Sequence, residues 1–261
     1  MSSPLTDKIN ALTAYANEVT GESDTTLSDA VASLASGYGQ GGGGYSMRDI
    51  FMGAAPSGAD VVFEPDAIVP AYAISGRRNI TKLTIDASGL TSATQNGGYA
   101  GYSISHNWIP YIHIIGSGSG TAQSYLCYDN GSTSSLVTIV ARGFTGVEGS
   151  AFRSNKGLKV IDLTFTGNFK GDAVFRDCTL LDTIIIRNSE VPTLSSTGAF
   201  TNTPFASGKA GGTIYVPSAL INSYKAASNW STVNGYGTIT WAALENSQYA
   251  NAYADGTPIS T

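Results

Sequence analysis

Leu158-Lys159-Val160-Ile161-Asp162-Leu163 sets large aliphatic residues three positions apart, and the chain then repeats itself. The same run appears as Ile80-Thr81-Lys82-Leu83-Thr84-Ile85 and as Ile109-Pro110-Tyr111-Ile112-His113-Ile114. It returns as Leu136-Val137-Thr138-Ile139-Val140 and as Leu181-Asp182-Thr183-Ile184-Ile185-Ile186. The runs start at residues 80, 109, 136, 158 and 181, so the steps are 29, 27, 22 and 23 residues. One short unit cannot bury its own apolar edge, so each must stack on the next.

A period in the twenties with one strand-like run per period predicts a mainly β, leucine-rich solenoid. Within a period the spacing repeats too. Phe152 stands six residues before Leu158, Phe175 six before Leu181, and Ile74 six before Ile80. Asn155 and Cys178 both lie three residues before the strand-like run. Phe152, Phe175 and Cys178 are therefore read as core. Val61-Val62-Phe63 is expected to form a first strand, and Thr213-Ile214-Tyr215-Val216 a last one stopped by Pro217. A helix opening at Ser218 and carrying Leu220, Ile221, Tyr224, Ala227 and Trp230 is expected to cap the open apolar end. Thr238-Ile239-Thr240-Trp241 reads as one further strand before a loosely held tail.

Residues 1–36 differ in kind. Ser3-Pro4 is a helix opening, and Leu5, Ile9, Leu12, Ala16 and Val19 follow at heptad-like steps. A second helix near Thr26 carries Leu27, Ala30, Val31 and Leu34. Too few apolar positions exist there for an independent domain, so the stripe needs a partner: the other helix, a second copy of the chain, or an assembly. The glycine-rich residues 37–44 read as a flexible linker, and they lack the Lys and Ser/Thr of a phosphate-binding loop. The expected organisation is a helical anchor over 1–36, a linker over 37–44, the repeat array with its caps over 45–230, and a strand and tail over 231–261.

Composition excludes several functions. Charged residues make up 13% of the 261, about half the usual share, and the net charge is −5. No basic stripe exists to meet phosphates, so nucleic acid is not an expected partner. No run of apolar residues is long enough to span a membrane, and residues 1–7 have no hydrophobic h-region, so neither a membrane span nor a secretory signal is expected. Cys127 and Cys178, in different repeats, are read as free thiols. His106 and His113 are too few for a metal or catalytic constellation, and strand alternation makes His113 a surface residue. Asp60, Glu64 and Asp66 lack the spacing of a calcium loop, and no nucleophile elbow occurs. No enzyme activity, cofactor or metal is expected.

The run Ser150-Ala151-Phe152-Arg153-Ser154-Asn155-x-x-Leu158-x-x-Ile161 resembles the BspA-like leucine-rich repeat, and Val174-Phe175-Arg176-Asp177-Cys178-x-x-Leu181-x-x-Ile184 is similar. Residues 214–230 resemble the way such arrays end. Thr20-Gly21, Thr26-Leu27-Ser28-Asp29-Ala30 and Gly41 to Gly44 are similar to a helical segment that opens phage structural proteins. Together these resemblances imply a non-enzymatic virion protein, made in the host cytoplasm: a fibre or tip component displaying a solenoid surface for host attachment. A capsid or tail decoration protein and a bacterial surface adhesin are the alternatives. Other virion proteins, reached through residues 1–44, and a host surface glycan or protein are the expected partners. Phage fibres are often trimers, so a homotrimer is the expected state. Tyr99, Tyr102, Trp108, Tyr111 and Tyr128 are the candidate receptor contacts, as aromatics suited to stacking on a sugar or filling a pocket.

Overall fold

The computed structural model describes residues 60–77, 80–91, 95–130 and 138–251. The chain divides into two units, Met1–Gly44 and Tyr45–Thr261, and every described residue belongs to the second. The expected anchor residues Leu5, Ile9, Leu12, Val19, Leu27, Val31 and Leu34, and the glycine linker, lie outside the described residues.

The structure is mainly strands in one parallel sheet, with few and short helices. Strands β1 (Asp60–Phe63), β2 (Lys82–Asp86), β3 (Tyr111–Ile115), β4 (Thr138–Phe144), β6 (Val160–Phe165), β8 (Thr183–Ile186), β9 (Thr213–Val216) and β10 (Thr240–Ala243) pair in that order. The pairing register is the sequence repeat itself. Lys82 pairs with Tyr111, Tyr111 with Thr138, Thr138 with Val160, and Val160 with Thr183. Each strand thus begins two residues after the start of its aliphatic run. Between strands the chain returns along a second side, where β5 (Val147–Glu148) pairs in parallel with β7 (Phe169–Lys170). Single bridges Val69–Tyr99, Ala122–Val147 and Phe169–Leu194 extend that side.

Period-2 alternation sends one set of side chains inward. Leu83, Ile112, Ile139, Ile161, Ile184 and Ile214 form one fully buried column. Ile85, Ile114, Ala141, Leu163 and Ile186 form the next. Branched aliphatics suit these positions because their stiff side chains pack across a pleated surface. The turn side contributes Phe152, Phe175 and Phe200, stacked with centroids 6.0 and 5.6 Å apart. The aromatic plug read from the spacing is therefore real.

A buried polar column closes each repeat. Asn107, Asn130, Asn155, Cys178 and Thr203 occupy equivalent places in successive repeats. Asn155 Nδ2 donates to the carbonyls of Cys127 and Phe152, both at 2.7 Å, and its Oδ1 accepts the Asn130 amide at 3.0 Å. Asn130 Oδ1 in turn accepts the Asn107 amide at 3.1 Å. The turn leaves carbonyls and N–H groups inside that the sheet cannot reach, and these side chains satisfy them. Cys127 and Cys178 are free and buried, and burial pushes the Cys178 thiol up to about 12, so neither is a reactive thiolate.

Three expectations need correction. The capping helix is broken: α1 (Ile221–Ala226) stops and α2 (Trp230–Asn234) restarts after Asn229, which sits at φ 61°. The break lets Asn229 Nδ2 donate to Leu194 O at 2.6 Å and buries Trp230, whose Nε1 donates to Pro192 O at 2.8 Å. The tail, as far as residue 251, is held firmly and not loosely. Leu244 and Tyr249 are buried in one cluster with Tyr111, Val140 and Ile185 on the outer face of the sheet. Arg187 donates to the Tyr249 and Ala250 carbonyls at 2.7 and 3.0 Å while forming a bidentate pair with the fully buried Asp162. His113, finally, is not a surface residue. It does lie on the outer face, as alternation requires, but it is only 6% exposed.

Two predictions test these packing claims. Asn155→Leu strands the Asn130 N–H and the Cys127 carbonyl together, and should cost about 3 kcal/mol in urea unfolding. Cys178→Ala orphans nothing, because Phe152 O keeps its bond from Asn155, and should cost about 1–2 kcal/mol. The His113 imidazole is lowered from 6.5 to about 4, first by desolvation and then by the Arg142 and Lys82 cations. The unfolded chain therefore takes up a proton that the folded state refuses, so this contribution is full above about pH 6.5 and is lost as the pH falls toward 4. The wild type should lose on the order of 2 kcal/mol more than His113→Gln across that window, read as the difference between their unfolding curves.

Candidate binding face

The third side is a series of tight turns, five of them built on two left-handed residues four positions apart and a sixth, at Asn202, on one. The first column is Tyr72, Tyr102, Tyr125, Ser150 and Ala173, with φ between 60° and 63°. The second is Gly76, His106, Asp129, Ser154, Asp177 and Asn202, with φ between 51° and 74°. Backbone bonds lock turn to turn: Tyr72 N–H donates to Tyr102 O at 2.9 Å and Tyr102 N–H to Tyr125 O at 2.8 Å. His106 N–H donates to Tyr128 O at 3.2 Å, and Ser154 N–H to Arg176 O at 2.8 Å. Residues at one turn position are thereby set one strand spacing apart, about 4.8 Å.

Four tyrosines and a histidine gather on this face. The Tyr72 and Tyr102 rings stack at 5.5 Å and 21°, and the Tyr102 and Tyr125 rings at 4.8 Å and 6°. His106 lies parallel to Tyr72 at 6.2 Å. Tyr128 stands perpendicular to Tyr102, Tyr125 and His106, at 5.7, 5.3 and 5.8 Å. His106 Nδ1 is 3.6 Å from Asp129 Oδ2. Tyr72 is 52% exposed, and the other three tyrosines are half-buried by one another. The Tyr102 phenol is held above its ordinary value by partial desolvation, and then by the phenols of Tyr125, Tyr72 and Tyr128.

The choice of residue at the first column is costly. A left-handed backbone suits Gly, Asn and Asp, whereas a bulky side chain there costs about 1–3 kcal/mol. Three consecutive repeats nevertheless place tyrosine at it, and later repeats use serine and alanine. Ring contacts return about 0.5–1.5 kcal/mol per pair, and Tyr102 makes three of them, so packing and strain are of similar size there.

Two of the five sequence candidates, Tyr102 and Tyr128, belong to this patch. Tyr99 does not: it is wholly buried, with its hydroxyl 2.8 and 2.9 Å from the Ile85 and Ile115 carbonyls. Tyr111 lies on the opposite side of the strand layer, under the C-terminal segment, and is 4% exposed. Both are core residues, not contacts. Trp108 is partly buried just before β3. Tyr72, Tyr125 and His106 were missed. A signal existed, since Tyr72, Tyr102 and Tyr125 each stand two residues before the position that Phe152 fills in its own repeat. Among the described residues, no group of His, Cys, Asp and Glu could hold a metal, and no helix is long and apolar enough to cross a membrane.

No protein-family model, curated protein or solved structure matches the chain.

Because relief of the strained turn offsets the lost ring contacts, Tyr102→Asn should leave the melting temperature within a few degrees of the wild type, whereas a tyrosine held by packing alone would lower it further. Scanning calorimetry of the wild type and variant decides between these.

Proposed function

We propose that this chain is a non-enzymatic attachment protein of a phage virion, a fibre or tip component, with a BspA-like leucine-rich solenoid that meets the host surface through its tyrosine face. One observation carries the reading: three successive repeats hold tyrosine at left-handed positions that asparagine or glycine adopts with less backbone strain, and their rings gather into one partly exposed patch. Strain of this kind collects at functional sites because selection there favours the side chain over the backbone. An exposed group of rigid, amphipathic rings is suited to a host glycan or protein, since each ring offers area at little entropic cost.

The solenoid part is supported by one parallel strand per repeat, by the buried Asn-Asn-Asn-Cys-Thr column and by the stacked phenylalanines. The virion part and a trimeric state rest on the sequence of residues 1–44.

The test is cosedimentation of labelled full-length protein with a panel of intact bacteria, beside the triple variant Tyr72→Asn, Tyr102→Asn, Tyr125→Asn. Retention by at least one strain, reduced about tenfold or more in the variant and without release of reducing sugar, is expected. Retention by none, or equal retention of the variant, sinks the attachment reading. Equal binding of both proteins to purified virions would then favour decoration of the particle.

A further inference from the structure

The tyrosine patch ends at Tyr128 and Asp129, but the face does not. The second left-handed column continues through Ser154, Asp177 and Asn202, and the Ser154 and Asp177 amides each bond to a carbonyl of the next turn. A groove of about 610 Å³ opens there, lined by Ser154, Lys156, Asp177, Thr179, Asn202 and Lys209 among others.

Its charge is the opposite of the chain's. The only carboxylate lining the groove, Asp177, is already engaged: Asn202 Nδ2 donates to its Oδ1 at 2.8 Å, and Arg153 Nε and Arg176 Nε each stand 3.7 Å from its Oδ2. Lys156 and Lys209 are exposed and form no ion pair among the described residues. Neither arginine Nε makes a hydrogen bond among the described residues, although both are buried. Two lysines thus line the groove and two arginines stand beside its carboxylate, on a protein whose net charge is −5. Ser154, Thr179 and Asn202 line the same groove with hydroxyl and carboxamide groups. Cations alone would suit any anion. Interleaved with hydroxyl and amide groups, and continuous with an aromatic patch, they suit a chain of sugars that carries acid groups.

We infer that this groove is a subsite for the anionic groups, carboxylate or phosphate, of an acidic glycan whose neighbouring units lie along the tyrosine patch. The inference rests on the attachment reading for its biological setting, but the groove can be tested on its own. Lys156 and Lys209 supply the charge attraction, and the hydroxyls and Asn202 read the ring substituents. Arg153 and Arg176 hold Asp177 and so keep its charge from repelling the ligand.

Calorimetric titration of the full chain with oligogalacturonate, with poly(glycerol phosphate) and with a neutral dextran oligomer decides it. At least one anionic oligomer should bind more tightly than dextran, and more weakly as salt rises. Which of the two binds identifies carboxylate or phosphate as the source. The pair Lys156→Gln, Lys209→Gln should weaken that binding about tenfold or more while leaving the melting temperature unchanged, since both side chains are exposed. Dextran binding as tightly as both anionic oligomers, or no effect of the lysine pair, overturns the subsite. If cells retain the wild type and the lysine pair equally but lose the tyrosine variant, attachment stands and the subsite falls. If cells retain neither protein while an anionic oligomer still needs the lysines, the subsite stands and attachment falls.

Discussion

The Asn155 carboxamide shows what the rest of the structure depends on. A parallel stack can grow only if every repeat closes its own circuit and offers the same backbone groups to the next. The strand closes one side without help, through its ladder. The turn cannot, because its tight bends point carbonyls and amides into a dry interior where water cannot reach them. One polar side chain per repeat stands at this point, and Asn155 satisfies both the repeat it belongs to and the one before it. Asparagine does this with both a donor and an acceptor. At the same place, among the described residues, the Cys178 thiol donates only to the preceding repeat, at Phe152 O, and the Thr203 hydroxyl bonds only within its own repeat, at Phe200 O and Phe205 N.

Once turns are tied at that point, their surface residues lose freedom of placement. Left-handed positions fall in two straight columns, and whatever residue occupies them is presented in a row. The chain uses this in two ways along one face. Early repeats carry tyrosines that stack on each other, and later ones carry small or polar residues that leave room for a groove. The backbone is the same throughout; only the side chains placed on it change. Backbone strain at the tyrosines is affordable because the buried columns behind them are continuous and fully packed.

The outer face of the sheet follows a different logic. Its middle column runs Thr84, His113, Val140, Asp162, Ile185 and Tyr215, a mixture that neither water nor a plain apolar cover would suit. The C-terminal segment resolves this by covering the apolar members with Leu244 and Tyr249 while its carbonyls take two further donors of Arg187. Asp162 is tolerable in that position because the guanidinium meets both of its oxygens. Burial, and then the Arg142 and Lys82 cations beside it, hold the His113 imidazole well below its ordinary value, and neither of its ring nitrogens has a hydrogen-bond partner among the described residues.

Much of this was written in the chain. The aliphatic runs from 80 to 181 determined the strands, their order and their register, because identical positions must pair when repeats stack in parallel. The spacing of Phe152, Phe175, Asn155 and Cys178 likewise determined which side chains face inward, since a six- or three-residue offset recurs only if the turn recurs. Repeat periodicity is local, and local pattern survives in sequence. What only tertiary structure decided depends on long-range neighbours. Nothing near residue 113 announces that residues 244–251 will return to cover it, and nothing in Tyr99 or Tyr111 separates them from Tyr72 or Tyr125 except the direction in which each repeat aims them. The tyrosine face exists because residues 72, 102 and 125 share one turn position, and that coincidence becomes a surface only when the turns are stacked.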